Sequence, residues 1–361
     1  MTQRETTITL MLGHPKCVLS ETRLLSSGVL PLHHEISPTL LKEATMSKSR
    51  VSLVHGGDRR TNVFNALELV RADVESRLAE QVMLKPNFLS SENQLASSHA
   101  DALRGVLDFL LTTPKPPREV LIAEAGAQDT WDAYRNFGYH ALEEEYSIPL
   151  RLMDLHRETE WESTPIVLAD GSETIARMPR TVLDCPCTIS IAIPKTHDTC
   201  VVTLALKNMI MGTIYRQDRV KMHGFNTHAE RRVPDESRAM SINLIRLARF
   251  MTPDVAVFDG ARGLQGNGPG GTDGLDFGIA AASIDTFAAD AVIAKTMGFE
   301  PLELGFLRYG HDQGMGTADL DEIELLGGVS IASVARQFKP HETTELQLQW
   351  QVENAEQLLA A

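Results

Sequence analysis

Ser190-Ile-Ala-Ile-Pro-Lys-Thr-His-Asp-Thr-Cys-Val-Val-Thr-Leu-Ala-Leu-Lys-Asn-Met-Ile-Met-Gly212 is the stretch whose reading decides the fold. Its beginning, Thr188 to Ile193, is short, apolar and β-branched, which predicts a buried strand. Pro194 has no amide hydrogen to give a sheet ladder and ends it. Lys195, Thr196, His197 and Asp198 then crowd into one turn. From Thr199 to Met211 the chain is apolar on nearly every face, so the spacing predicts a buried helix stopped by Gly212. Asp198 as a helix cap accounts for one of the four polar residues and leaves the others for chemistry. In α/β proteins such residues sit beyond the carboxyl ends of strands, where ligands bind.

The same alternation runs outward in both directions. Val51–His55 reads as a strand and 62–78 as a helix with Val63, Leu67, Val70 and Val74 on one face. Val82–Leu84 is a strand running into Lys85-Pro86-Asn87. Ser98 with Asp101 reads as a capping box for a helix through Leu111. Val120–Ala123 is a strand ending in Glu124, 131–146 a helix and Leu150–Leu155 another strand. The turn-rich 158–180 reads as a hairpin excursion, and the charged 215–235 as a long loop or lid. A helix over 237–251 leads to the strand Val255–Phe258, which ends in Asp259-Gly260. The glycine-rich Gly263–Gly271 is not a dinucleotide fingerprint, because a strand at 278–282 follows it rather than a helix. Asp285 opens a helix to Met297, inside which Asp290 requires a partner. A short helix at 304–313 and a strand at Ile323–Leu326 follow. The expected class is α/β, a largely parallel or mixed sheet flanked by helices, in one body or in two lobes with a cleft.

The expected organisation has three parts. Residues 1–45 lack a clear period and read as a poorly ordered N-terminal extension, with Met46 a plausible start. Residues 46–330 form the α/β domain. Residues 331–361 are a tail whose alternating Glu345–Gln351 suggests an edge strand.

Composition narrows the function classes. Of the 361 residues, 48 are acidic and 34 basic, a net charge of −14 that argues against a nucleic-acid partner. A local basic pocket for a small anion remains compatible with it. No apolar run is long enough to span a bilayer and no signal peptide opens the chain, so no membrane partner and a cytoplasmic setting are expected. Cys17, Cys185, Cys187 and Cys200 show no Cys-x-x-Cys spacing and read as buried core residues.

Several stretches resemble the family called domain of unknown function 362, over about Arg50 to Gly328. They are Leu84-Lys-Pro-Asn-Phe88, Gln94-Leu-Ala-Ser-Ser-His99, Thr130-Trp-Asp-Ala-Tyr-Arg-Asn-Phe-Gly-Tyr139, Ile193-Pro-Lys-Thr-His-Asp198, Leu206-Lys-Asn208, Asp259-Gly260, Gly266-Asn-Gly-Pro269 and 285–298. Some relatives are described as iron–sulfur proteins because they carry a ferredoxin-like cysteine run. This chain has none, so an iron–sulfur cluster is not expected.

Lys85, Glu124, Lys195, His197 and Asp259 all follow expected strands, so parallel strands would bring them to one edge. Lys85 and Lys195 can hold a carboxylate or phosphate. Asn87, His99, Lys207, Asn208 and Asn267 are added as ligand-binding residues, with a small anionic ligand the expected partner. His197 is expected to move a proton near neutral pH, with Lys195 and Glu124 beside it. Asp198 and Asp259 can balance charge or bind a divalent metal through oxygen. His223 and His228, five apart, do not share a helical face and do not make a zinc pair. These residues suit an enzyme acting on a small anionic metabolite by acid/base or metal-assisted chemistry. A noncatalytic ligand- or cofactor-binding protein, or an iron–sulfur redox protein, are the alternatives.

Overall fold

A computed structural model describes residues 48–360. The expectations for residues 1–45 and for Cys17 lie outside the described residues. From Lys48 onward the chain forms one compact unit rather than two lobes.

The strands are β1 (Ser49–His55), β2 (Gln81–Lys85), β3 (Glu119–Glu124), β4 (Leu150–Asp154), β5 (Trp161–Val167), β6 (Glu173–Pro179), β7 (Thr188–Ala192), β8 (Lys195–His197), β9 (Val201–Thr203), β10 (Val255–Leu264), β11 (Gly274–Ser283) and β12 (Ile323–Leu326). The main sheet runs β12-β1-β11-β10-β7-β2-β3-β4, with β8 and β9 attached at the end of β10. Five neighbours, β10, β7, β2, β3 and β4, are parallel. β11 is antiparallel to both β10 and β1, which makes the sheet mixed. β5 and β6 form the separate hairpin expected over 158–180.

Buried β7 is the centre of this sheet, and every one of its residues is inaccessible, as strands covered on both faces require. Period-two alternation sends its neighbours' side chains to two cores. Val82, Leu84, Val120 and Ile122 pack beneath the helices Arg59–Leu69 and Ala100–Thr112. Met83 and Leu121 belong to the core with the helices Ala205–Met211, Asp235–Met251 and Thr286–Thr296. The carboxyl ends of β2, β3, β7 and β10 therefore meet at one edge, in register Leu84↔Ile122, Lys85↔Ser190 and Phe258↔Ala192.

Four local expectations are corrected. The apolar run after Thr199 begins with β9, which pairs antiparallel with β8, and the helix starts only at Ala205. A three-residue apolar strand and the first turn of a buried helix carry the same pattern. β10 continues to Leu264, so Asp259 lies within a strand rather than beyond its end. His99, not Ser98, caps the helix Ala100–Thr112, its Nδ1 accepting from the Asp101 amide at 3.1 Å. The tail has no edge strand at 345–351. It holds a helical turn Thr344–Gln347, and within 345–351 the buried residues are Gln347 and Trp350. Leu346 and Leu348, which a strand would have buried, are exposed. Phe338 is buried too, so the tail is part of the fold rather than a separate segment after residue 330.

Candidate active site

At the sheet edge three lysines lie almost wholly buried, Lys85 at 0%, Lys195 at 1% and Lys207 at 3% exposure. Lys85 ends β2, and its Nζ meets Glu124 Oε2 at the end of β3 at 2.5 Å. The same ammonium donates to Pro86 O at 2.6 Å and Asn208 Oδ1 at 3.1 Å. Asn208 comes from the helix Ala205–Met211, and its Nδ2 donates to Ser190 Oγ at 2.9 Å. Asn87 closes the group. Its Nδ2 donates to Asn208 Oδ1 at 2.9 Å, and its Oδ1 accepts from Lys195 Nζ. Lys195 Nζ also donates to Ala96 O at 3.0 Å. Gly212, expected only as a helix stop, has φ −89° and no left-handed turn. A Cβ there would collide with Lys85 Nζ, so its missing side chain admits the lysine.

Burial lowers Lys85 and raises Glu124, each opposed by the charge of the other. Burial, then the neighbouring Lys207, pushes Lys195 down to about 7, with Glu124 pulling the other way. Burial also lowers Lys207, against the pull of Cys200 and Asp198.

A second group surrounds His197. Its Nδ1 lies 2.9 Å from Asp198 Oδ1 and 3.0 Å from the Thr199 amide. Burial and Lys207 push its pKa down to about 3, so the imidazole is neutral at physiological pH. Asp198 is partly buried, which raises its pKa, but His197 and Arg231 hold the carboxyl well below the usual range. Arg231 Nη2 lies 3.0 Å from Asp198 and its Nε 2.6 Å from Glu236. Glu236 in turn faces His223 Nδ1 at 3.2 Å, and burial pushes His223 down to about 4. Arg231 and His223 come from the 215–235 segment, which contributes only short helical turns and does lie against this group.

The remaining expected residues have other partners. Asp259 is paired with Arg59 at 2.7 Å, and His99 lies within their electrostatic reach. Asn267 is exposed and accepts from the Glu342 amide at 3.2 Å. Asp198 and Asp259, suggested as metal ligands, are each engaged by an arginine instead. Among the described residues no group of three or more His, Cys, Asp or Glu is arranged to hold a metal.

Two contributors, Ser190 and Gln347, carried no signal in the sequence, and Asp290 was marked only as needing a partner. Ser190 anchors Asn208 from the middle of β7 and donates to Ala205 O at 2.9 Å. Asp290 finds the partners it required in the Ala205 and Leu206 amides, accepting from them at 2.9 and 3.2 Å. Gln347 reaches in from the tail, accepting from the Val201 amide at 2.5 Å and donating to His197 O at 3.0 Å. Val201 has φ +65°, a left-handed backbone that a β-branched residue adopts only under constraint. Gln347 fastens that constrained corner.

A profile of the family described as Domain of unknown function (DUF362) matches residues 82–295. The Thylakoid-associated protein sll1697 of Synechocystis sp. is 26% identical over 125 residues, 35% of this chain. The match spans 36% of that relative's length, about a third. The lactate racemase apoprotein from Thermoanaerobacterium thermosaccharolyticum superposes with a TM-score of 0.38 at 12% identity, over 59% of this chain and 50% of that one. No helix among the described residues is long and apolar enough to cross a membrane.

Proposed function

Because the chain belongs to the Domain of unknown function (DUF362) family, whose description assigns no reaction, we propose a function from the site itself: an enzyme that moves a proton on a small anionic metabolite. The observation that carries this reading is the charge balance of the buried edge. Lys85, Lys195, Lys207 and Arg219 share one hydrogen-bonded or electrostatic neighbourhood, and its carboxylates are Glu124 and, beside Lys207, Asp198, which Arg231 also engages. Buried cations without matching anions are costly, and a bound anion would supply the missing charge. All of these residues lie within the family match.

The division of labour differs from the sequence expectation. With a pKa of about 3, His197 stays neutral and serves as a hydrogen-bonding group rather than the near-neutral proton carrier. Lys195, at about 7, has the value that general acid/base chemistry requires at physiological pH. Lys207 holds the anion, Lys85 adds its charge while its three hydrogens stay on Glu124, Pro86 O and Asn208, and Asn87 and Asn208 fix the positions of the ammonium groups.

Oxalate and inorganic phosphate, titrated calorimetrically, test this. Lys195→Met is expected to weaken the better of the two by about tenfold or more, the equivalent of about 1.4 kcal/mol. Lys115→Met removes one cation from the exposed loop at 113–117 and is expected to leave affinity unchanged. Equal, salt-dependent losses in both variants would show a diffuse field and overturn the site. Metabolites retained through purification, identified by mass spectrometry and then tested for turnover, separate an enzyme from a binding protein.

A further inference from the structure

We infer that Lys195 is an amine nucleophile that forms an imine with the carbonyl carbon of a small oxo acid, with the Thr203 hydroxyl donating to the carbonyl oxygen. This deepens the anion reading above and rests on it.

Lys195 Nζ has one acceptor fewer than an ammonium has hydrogens. Its acceptors are Asn87 Oδ1 and Ala96 O, both neutral. Among the described residues no carboxylate lies within ion-pair distance of it, whereas Lys85 has Glu124. An ammonium carries three hydrogens to donate. A neutral amine carries two, plus one lone pair. Two neutral acceptors satisfy the amine completely and leave its lone pair in the remaining tetrahedral direction. The charged groups acting on it are Lys207 and Lys85, which repel an ammonium, and Glu124, which favours one. Desolvation beside other cations is how a lysine becomes a nucleophile at neutral pH. At pH 7 about half of Lys195 is neutral. An ordinary lysine has on the order of 10³-fold less free amine.

The second observation is independent. Thr203 stands directly opposite Lys195 in the β8–β9 register, so both side chains leave the hairpin on the same face. The Thr203 hydroxyl is buried, with the residue 7% exposed, and has no hydrogen-bond partner among the described residues. The buried hydroxyls of Thr199 and Ser190 both donate, to Asp198 Oδ1 and Ala205 O. A buried hydroxyl left unpaired costs free energy, and an oxygen held beside Lys195 would satisfy it.

The chemistry balances without a redox partner. The Lys195 lone pair attacks the carbonyl carbon, a C–N bond forms, and the carbonyl π electrons move to oxygen, which takes a proton. Loss of that oxygen as water, carrying both hydrogens lost by the amine, leaves the imine. Protonation of the imine nitrogen makes it an electron sink for removal of a proton or carboxylate from the adjacent carbon. The oxo group answers to the amine, and the carboxylate to Lys207.

The test uses the full chain with glyoxylate, pyruvate and 2-oxoglutarate as probes, each with and without cyanoborohydride. Reduction is expected to fix one probe molecule on Lys195, located by peptide mass mapping, well ahead of Lys115 and Lys339. Thr203→Val is expected to slow this trapping about tenfold, a typical loss for one hydrogen bond, and Thr203→Ser to restore it. Binding of the same probes is measured calorimetrically without reductant. Probes that bind but leave Lys195 unmodified overturn the imine and spare the anion site. Probes that neither bind nor couple overturn both. Adducts spread over exposed lysines also overturn the imine, and this mapping on the unaltered chain does not depend on any variant folding.

Discussion

Glu124→Gln is expected to destabilise the protein by about 3–5 kcal/mol, the range for removing one partner of a buried ion pair. Glutamine keeps the volume and one acceptor oxygen, so the loss reports the charge rather than a cavity. In the variant, Lys85 still donates to Pro86 O and Asn208 Oδ1. Neither is anionic. The lysine must then stay charged without a carboxylate or give up its proton, and either course costs free energy at neutral pH. The double variant Lys85→Met, Glu124→Gln removes both charges and is expected to recover more than half of the loss. Urea unfolding midpoints at constant slope measure this. A single-variant loss below about 1 kcal/mol, as for an exposed pair, would show that the pair is not functioning as a buried one.

That pair also shows what a sequence can and cannot disclose. Lys85 and Glu124 lie 39 residues apart, yet each ends an apolar strand, and parallel strands gather such ends. Lys195 followed from Pro194, which has no amide for the ladder. The position of these residues was therefore legible from periodicity and chain breaks. Their pairing was not, because which strands adjoin is settled by long-range packing. Asn87 and Asn208, read as ligand-binding residues, hydrogen-bond the buried lysines, a contact only distances can disclose.

Val201–Thr203 and Glu345–Gln351 illustrate the other limit. The first is apolar and became a strand rather than a helix, since a run of three residues is too short for period to decide. The second alternates, yet Thr344–Gln347 became a helical turn that buries Gln347 and leaves Leu346 exposed. His197 was a sound candidate by its ordinary pKa. Burial beside Lys207 removes that property and confers it on Lys195, and desolvation is not written in residue types.

The second large effect is expected at Asp290, through pH. Asp290 is fully buried, and burial pushes its carboxyl up to about 8 despite the two amides of Ala205 and Leu206 that favour the anion. In the unfolded chain the same group ionises near its ordinary 3.8. Folding therefore takes up a proton across that window, and the stability contributed by Asp290 falls as pH rises from about 4 to about 8. The slope is about 1.4 kcal/mol per pH unit, on the order of 5 kcal/mol over the window. Other groups pull the opposite way. His197 and His223 are neutral in the fold down to about 3 and about 4, so folding releases their protons below 6.5 and stability drops as pH falls. Lys195 releases a proton on folding between about 7 and 10.5, which adds stability as pH rises. The wild-type profile sums these terms, so the difference between wild type and Asp290→Asn isolates one. Asparagine cannot ionise but turns an amide toward one of the two donors, and near pH 5 the variant is expected to be less stable by about 1 kcal/mol. As pH rises the order inverts, and near pH 8 Asp290→Asn is expected to be the more stable by several kcal/mol. Urea unfolding from about pH 5 to about pH 9 reads the crossing directly. A constant difference across that range would show that Asp290 is ionised throughout, held as an anion by the amino end of the helix that carries Lys207 and Asn208.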